Sequence, residues 1–423
     1  MKVFKFGGVS IKDAPAIEHV AQIIGRYQAE KPLVVVISAM GKTTNALEAV
    51  LSTRRQVGVD AARDALSRII EQHHTTARQL GGAAPGLAGV LDGLREDFQP
   101  GWNILGVEPM PPFGYAYDQL VSCGEMASSR LLAFALEQRG LDVLREDARH
   151  WLITDAHWRH ATPDHLISSE LVSQRRDKWA MHDVVVVQGF IGGTMEGHTT
   201  TLGREGSDYT AAMLANWLDV EEMTVWKDVP GILNGDPKKM PDAQLLPELS
   251  FEEAIEMTFY GARVLHPQTI QPLKQKGILL NVRSFLHPEQ AGTRVGGTLE
   301  SVHQPIVIIK ENQQIVDLTT RDLSFIDERN LSYLFWVVAE YDIEVHMMQT
   351  SAVTFSMVID ADESRVAALR REVAERFVYE EVSGLRLITV RHATQAMMEQ
   401  LRGRHEVWLE QMNDVTTKLL VVA

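Results

Sequence analysis

Only one cysteine, Cys123, stands in the 423 residues. No disulfide can form within the chain, and a reducing compartment is expected. Positive charge is also scarce: 41 lysines and arginines face 56 aspartates and glutamates, a formal charge of −15. Such a balance argues against nucleic acid or an anionic membrane as the main partner, while a local basic pocket can still hold a nucleotide. No apolar run reaches the roughly 18 residues of a membrane span. The opening MKVFKFGG reads as an apolar strand entering a glycine turn, not as a signal peptide. Low-complexity tracts and heptad runs are missing too. The expectation is a cytoplasmic protein with no membrane and no nucleic-acid partner. With 45% hydrophobic and 23% charged residues the chain is globular, and its length calls for two or three domains.

Familiar site signatures are missing as well. Gly41-Lys42-Thr43 resembles the end of a P-loop, but the glycine required five positions before Gly41 is Val36. Gly192, Gly193 and Gly197 do not make a dinucleotide fingerprint. No H-x-x-x-H or C-x-x-C spacing marks a metal site, so no metal ligands are assigned. Nothing supplies Cys123 with a partner base, and it reads as a small buried residue. His198 reads as structural or solvated.

What remains is a repeated alternation of strand and helix. Val3-Phe6, Leu33-Ile37, Leu141-Leu144, Val184-Val187 and Met223-Trp226 are apolar strands, with helical periodicity over 13–29, 125–139, 163–181 and after Asp208. Residues 45–79 read as two helices broken near Gly58. Residues 81–101, rich in Gly, Ala and Pro, read as a loop between helices. This pattern predicts α/β architecture: a mostly parallel open sheet between helices. Near residue 298 the character changes. Strands at 306–309 and 315–318, a helix at 329–340, a strand-like run 344–359 and a helix 364–377 with Glu372 and Arg376 paired at i,i+4 form one group. Strand 385–390, helix 394–401 and strands 406–412 and 417–422 form another. Two ferredoxin-like modules side by side are expected.

The stretch 188–216, QGFIGGTMEGHTTTLGREGSDYTAAMLAN, follows a strand with a glycine-rich loop and a helix start capped by Ser207 or Asp208. Backbone N–H groups and the helix dipole would favour an anion there, and Arg204 adds a fork-shaped cation. Lys5 sits at a strand end beside Gly7-Gly8, where ligands lie in open α/β sheets, and can neutralise phosphate oxygens. Glu125, in the first turn of a helix opened by Ser122-Cys123-Gly124, reads on its own as a dipole-complementing residue. Lys227-Asp228 and Asp236-Pro237-Lys238 form a charged loop, and Gly261–Pro267 carries a cation before a helix.

Taken jointly these residues resemble the aspartokinases of the amino acid kinase family. The resemblance runs over nearly all of residues 2–297 and covers KFGG at 5–8, SAMGKTTN at 38–45, SCGEM at 122–126, GF-G and EG-TTLGREGSDYTAA within 189–212, DVPGILNGDP at 228–237 and GARVLHP at 261–267. It implies a catalytic domain over 1–297 and a regulatory region over 298–423. That region would hold two ACT-like modules, about 304–378 and 379–423, with interleaving left open. It also implies ATP- and Mg²⁺-dependent phosphorylation of the L-aspartate side chain, serving lysine, threonine and methionine synthesis. By the same resemblance Lys5 and Asp208 flank the transferred phosphoryl, and Thr44, Glu125, Arg204 and Ser207 bind aspartate. Gly7, Gly8, Ser10, Lys227, Asp228, Leu233, Lys238 and Arg263 bind ATP. Val9, Lys227, Leu233 and Arg263 replace residues more frequent in the family, all on the nucleotide side. Lysine-inhibited members carry acids where this chain has His346 and Ala352, so weak or absent lysine inhibition is expected. A homodimer or higher homo-oligomer through the ACT-like region is expected too. Two other readings stay open: a kinase of another acidic amino acid, and a catalytically weak regulatory protein. A free-ammonium partner at Glu125 speaks against the first, and the intact Lys5 and Asp208 against the second.

Overall fold

The computed structural model describes every residue except 28, 29, 31, 263, 264 and 298–303. Two compact units emerge. One comprises Met1–Ile232, Leu245–Ile255 and Val264–Ser301; the other Leu233–Gln244, Glu256–Arg263 and Val302–Ala423. Two short segments that precede residue 298 in sequence therefore group with the second unit.

In the first unit the strands are β1 (Lys2–Phe6), β2 (Leu33–Ile37), β3 (Val143–Glu146), β4 (Val184–Gln188), β5 (Ile191–Gly193), β6 (Thr199–Thr201), β7 (Glu222–Lys227), β8 (Glu248–Leu249), β9 (Leu279–Ser284) and β10 (Thr293–Val295). Eight of them form one sheet in the order β3-β4-β2-β1-β7-β9-β10-β8. Every pairing is parallel except β9 with β10, and β5 and β6 make a separate hairpin. Runs such as Leu33–Ile37 and Val184–Val187 are buried along their whole length, as strands covered on both faces must be. The period of two sorts their side chains. Phe4, Phe6, Val35, Ile37 and Val186 enter one core with α1 (Ala14–Gly25), α2 (Thr43–Gln56), α3 (Val59–Gly81), α4 (Leu87–Leu105), α5 (Phe113–Val121) and α6 (Cys123–Glu137). Val3 and Lys5 point the other way, toward the face where α8 (Gly206–Trp217) packs on β1 and β7. Helices α7 (His165–Ala180) and α10 (Pro267–Lys276) complete the set, while α9 (Phe251–Phe259) begins in this unit and ends in the segment that groups with the other. Among the described residues no helix is long and apolar enough to cross a membrane.

The expected loop at 81–101 is largely helix α4. Leu94, Phe98 and Leu105 recur at helical spacing on its buried face. Asp97 on the same face is gripped by Arg130 of α6 at 2.6 and 3.0 Å and by Arg145 of β3 at 3.0 Å. Gly101 suits the close approach of Leu120, whose Cδ1 would lie 2.6 Å from an added Cβ. Packing and the ion triad outweigh the helix-weakening Gly and Pro content.

The second unit holds β11 (Ile306–Thr320), α11 (Glu328–Glu340), β12 (Val345–Thr350), β13 (Thr354–Asp360), α12 (Glu363–Val373), β14 (Phe377–Arg391), α13 (Gln395–Arg404), β15 (Val407–Met412) and β16 (Thr416–Val422). The six strands form one antiparallel sheet, β12-β13-β11-β14-β16-β15. A register shift between Lys310 and Gln313 divides β11. Its second half joins β12, β13 and the start of β14, with α11 and α12, in a ferredoxin-like module. Its first half pairs with Leu387–Arg391 and completes a second module of β15, β16 and α13. The chain thus enters the second module, builds the first, and returns. The strand-like run 344–359 is interrupted at Ser351, whose N–H donates to Thr354 O at 2.8 Å, and becomes a hairpin. The expected Glu372–Arg376 pair does not form, because α12 ends at Val373. Arg376 lies over the Tyr333 ring at 4.2 Å, and Glu372 accepts from the Tyr341 hydroxyl at 3.1 Å.

Candidate active site

The parallel strands β1, β2, β4 and β7 end on one edge, and the order of the sheet reverses at β1, with β2, β4 and β3 on one side and β7 on the other. Such a switch point opens a crevice at the strand carboxyl ends. Lys5 lies near the end of β1, Ser38 follows β2, Gly189 and Phe190 follow β4, and Lys227 ends β7.

Asp208, 1% exposed, comes from α8 on the face that Lys5 points to. Lys5 Nζ lies 2.5 Å from Oδ1, an ion pair outside hydrogen-bond angles, and Lys227 Nζ lies 3.3 Å from Oδ2. Burial alone would raise the Asp208 pKa, but the two ammoniums outweigh it and hold the carboxyl below its ordinary value. The expected cap at Ser207 or Asp208 is not what forms. The helix is capped by Glu205, in left-handed backbone at φ 56° and without a side-chain cap bond, while Asp208 sits in the first turn facing the lysines. A cap bond contributes only about 1 kcal/mol, less than the cost of leaving buried charges unpaired.

Above this triad lies a cleft of about 360 Å³ whose lining includes Lys5, Ser38, Thr44, Tyr117, Glu125, Arg159, His160, Phe190, Arg204 and Ser207. The structure therefore brings Lys5, Thr44, Glu125, Arg204 and Ser207 to one cavity. Glu125 is fully buried; Ala39 N–H donates to Oε1 at 3.2 Å, and Oε2 has no partner. Burial pushes its pKa up to about 8. Far from being only a dipole complement, it faces the cleft with an oxygen to spare. Ser38 Oγ donates to Ser207 Oγ at 2.9 Å, joining the β2 end to α8. Close backbone approach needs glycine at two points. A Cβ at Gly189 would fall 2.6 Å from Ser207 Cβ, and one at Gly8 would fall 2.7 Å from both Ala39 O and Gly41 O. Arg204 is exposed.

Of the residues expected to bind ATP, Gly7, Gly8 and Ser10 follow β1, with Ser10 Oγ donating to Gly7 O at 2.6 Å. Val9 is 56% exposed and offers no hydroxyl. Asp228 is exposed beside Lys227. Leu233 and Lys238 belong to the second unit, and Arg263 lies outside the described residues. Cys123 is buried, its thiol pushed up to about 12 by burial. His198 Nδ1 lies 3.3 Å from the exposed Tyr115 hydroxyl. Sequence reasoning missed Tyr117, Arg159 and His160, which no motif marks. The three-dimensional group Glu344, His346 and Asp360 in the second unit was likewise invisible to spacing, because its members come from the segment before β12 and from β12 and β13.

The amino acid kinase family model matches residues 1–284. Aspartokinase 1, chloroplastic, of Arabidopsis thaliana is 33% identical over 85% of this chain, which spans 63% of that protein's length. The lysine-sensitive aspartokinase 3 of Escherichia coli K12 is 32% identical over 85% of this chain and 78% of its own. A crystal structure of E. coli aspartokinase III in complex with aspartate and ADP superposes with a TM-score of 0.80 at 27% identity, covering 100% of this chain and 96% of that one. With two thirds of its length matched by the family model, this chain belongs to the amino acid kinase family.

Proposed function

We propose that the protein transfers the γ-phosphoryl of ATP to the side-chain carboxylate of L-aspartate, giving 4-phospho-L-aspartate and ADP. The observation that carries this reading is the buried Glu125 carboxyl, with an unpartnered oxygen, in a cleft that also holds Lys5 and Arg204. One acid between cations complements a substrate with one ammonium and two carboxylates. That a relative's structure holds aspartate and ADP supports it.

The reacting carboxylate is ionised at neutral pH, so no general base is needed. One of its oxygens attacks the γ-phosphorus, the bond from that phosphorus to the β-bridging oxygen breaks, and ADP leaves with the electron pair. Lys5 and Lys227 offset the negative charge that builds up, and Asp208 holds both ammoniums in place. Asp208 is taken up by those two lysines, and Asp228 is a lone exposed acid. The residues therefore fit Mg²⁺ carried on the nucleotide phosphates with its own waters, rather than a protein cage. Thr44 and Ser207 fix the amino acid, and the turn at Gly7, Gly8 and Ser10 faces the phosphates. The second unit serves as the regulatory and assembly part, with an effector and an oligomer through its ferredoxin-like modules.

Turnover is tested with L-aspartate, L-glutamate and N-acetyl-L-glutamate, trapping acyl phosphate as the hydroxamate. Product from aspartate alone is expected. Product only from another acid would move the chain to a different substrate, and none from any would leave a non-catalytic protein. Lys5→Ala should cut kcat by at least about 10²; a change under threefold would remove Lys5 from the reaction.

A further inference from the structure

Arg159 is held in an unusual way. Its backbone has φ 72°, a conformation that residues other than glycine seldom keep without support. Asp118, fully buried, supplies the support: Arg159 N–H lies 3.1 Å from each carboxylate oxygen. The same carboxylate accepts from Thr201 N at 3.1 Å and Thr201 Oγ1 at 2.7 Å. One buried acid therefore ties the Arg159 turn to the strand that leads into Arg204. The two segments also touch directly, since a Cβ at Gly203 would fall 3.1 Å from Arg159 O and 2.7 Å from His160 Nδ1.

The guanidinium sits 4.6 Å from the Tyr117 ring centroid and 5.4 Å from that of Phe113. Aromatic faces hold a guanidinium while leaving its N–H edge available to an acceptor. Arg159 Nε is buried with no partner, and the guanidinium's ion pair is a loose one, 3.4 Å to the part-exposed Glu48. A preorganised cation with unmet donors therefore lines the cleft beside Arg204.

We infer that Arg159 is a second carboxylate-gripping residue of the cleft, acting with Arg204 on the α-carboxylate of the amino-acid substrate, and that Asp118 is its positioning residue. The inference rests on the aspartate reading above. There the side-chain carboxylate must lie by Lys5 and the ammonium by Glu125, which leaves the α-carboxylate for the two arginines. Two forks distinguish a carboxylate from an amide, because an amide presents only one acceptor and no charge.

The test compares L-aspartate with its α-amide, L-isoasparagine, as substrate and as competitive inhibitor. Arg159→Gln should raise the aspartate KM about tenfold or more and change the ATP KM less than twofold. It should also narrow the preference for aspartate over the α-amide by a similar factor. Arg159→Lys should recover part of the loss. Asp118→Asn should raise the aspartate KM as well, and add little when combined with Arg159→Gln. Glu48→Gln, which frees the guanidinium of its competing acid, should leave the aspartate KM equal or lower. An unchanged aspartate KM in Arg159→Gln overturns the inference, as does an equal loss for aspartate and its α-amide, or a rise in Glu48→Gln. A wild-type protein with no aspartate turnover fails at the earlier step and removes the substrate reading together with this one.

Discussion

Glu125 is buried with its carboxyl pushed up to about 8, so near neutrality the unliganded cleft holds it as a neutral acid. A ligand ammonium against the free Oε2 would favour the ionised form, and binding would release a proton. Aspartate affinity should therefore improve as pH rises from about 6 to 8, and Glu125→Gln should flatten that dependence while raising KM. Folding stability runs the opposite way. The folded pKa lies above the unfolded value of 4.5, so the stabilisation is fully present below about 4.5 and is lost as pH rises through about 8. Asp118, pushed up to about 6 mainly by burial, adds a similar slope at lower pH. In thermal melts of the unliganded protein, the decline between pH 6 and 8 should belong to Glu125 and vanish in Glu125→Gln. A decline that persists in that variant would place the titrating group elsewhere. The residue type and its helix position were legible in the sequence, but the free oxygen was not. Burial of a first-turn acid depends on Ala39 folding against it from another strand end. Lys227 gives a similar lesson: beside Asp228 it reads as a nucleotide contact, and only the pairing of β1 with β7 shows its ammonium on Asp208.

Elements were legible where periodicity was strong and misread where composition opposed packing. The all-apolar strands Leu33–Ile37 and Val184–Val187 allowed little else. Helix α4 was hidden by its glycines and Pro100, although Leu94, Phe98 and Leu105 lie on one face. What places it is Asp97, whose 4%-exposed side chain is shared by Arg130 and Arg145. Removing the acid leaves two guanidiniums facing each other at a partly buried site. Asp97→Ala should lower stability by about 3 kcal/mol, read from urea denaturation with an unchanged slope. A loss below about 1 kcal/mol would mean that the apolar face alone positions α4. The misread cap of α8 has the same origin. Ser207 and Asp208 look like caps because they precede an apolar helix, and nothing local reveals that two lysines from the paired strands β1 and β7 claim the acid.

At the scale of the whole chain, the strand-rich character of the part that begins with β11 was legible in the sequence. The path between modules lay beyond it, because Ile306–Ile309 and Ile315–Leu318 read as separate strands, whereas one bulged strand serves both. Lys310 stands at that register shift, and its side chain reaches His346 of β12. Its Nζ lies 3.3 Å from His346 Nδ1 and 3.5 Å from Glu344 Oε1, while His346 Nε2 lies 3.1 Å from Asp360 Oδ1. Burial first, then Lys310, lowers the His346 pKa against the pull of Asp360 and Glu344, which favours the uncharged ring. An incoming lysine would meet an imidazole without charge and acids already facing the chain's own ammonium. Charge-assisted hydrogen bonds contribute about 1.5–3 kcal/mol each, so the loss of even one weakens an effector by about tenfold. Lysine at millimolar concentration should therefore leave aspartate-dependent turnover at pH 7 nearly unchanged, unlike a lysine-sensitive enzyme. Half-inhibition at micromolar lysine would show that an effector site forms without these acids. Lys310→Met, which frees Glu344 and Asp360 from the internal ammonium, is the variant in which lysine sensitivity should first appear.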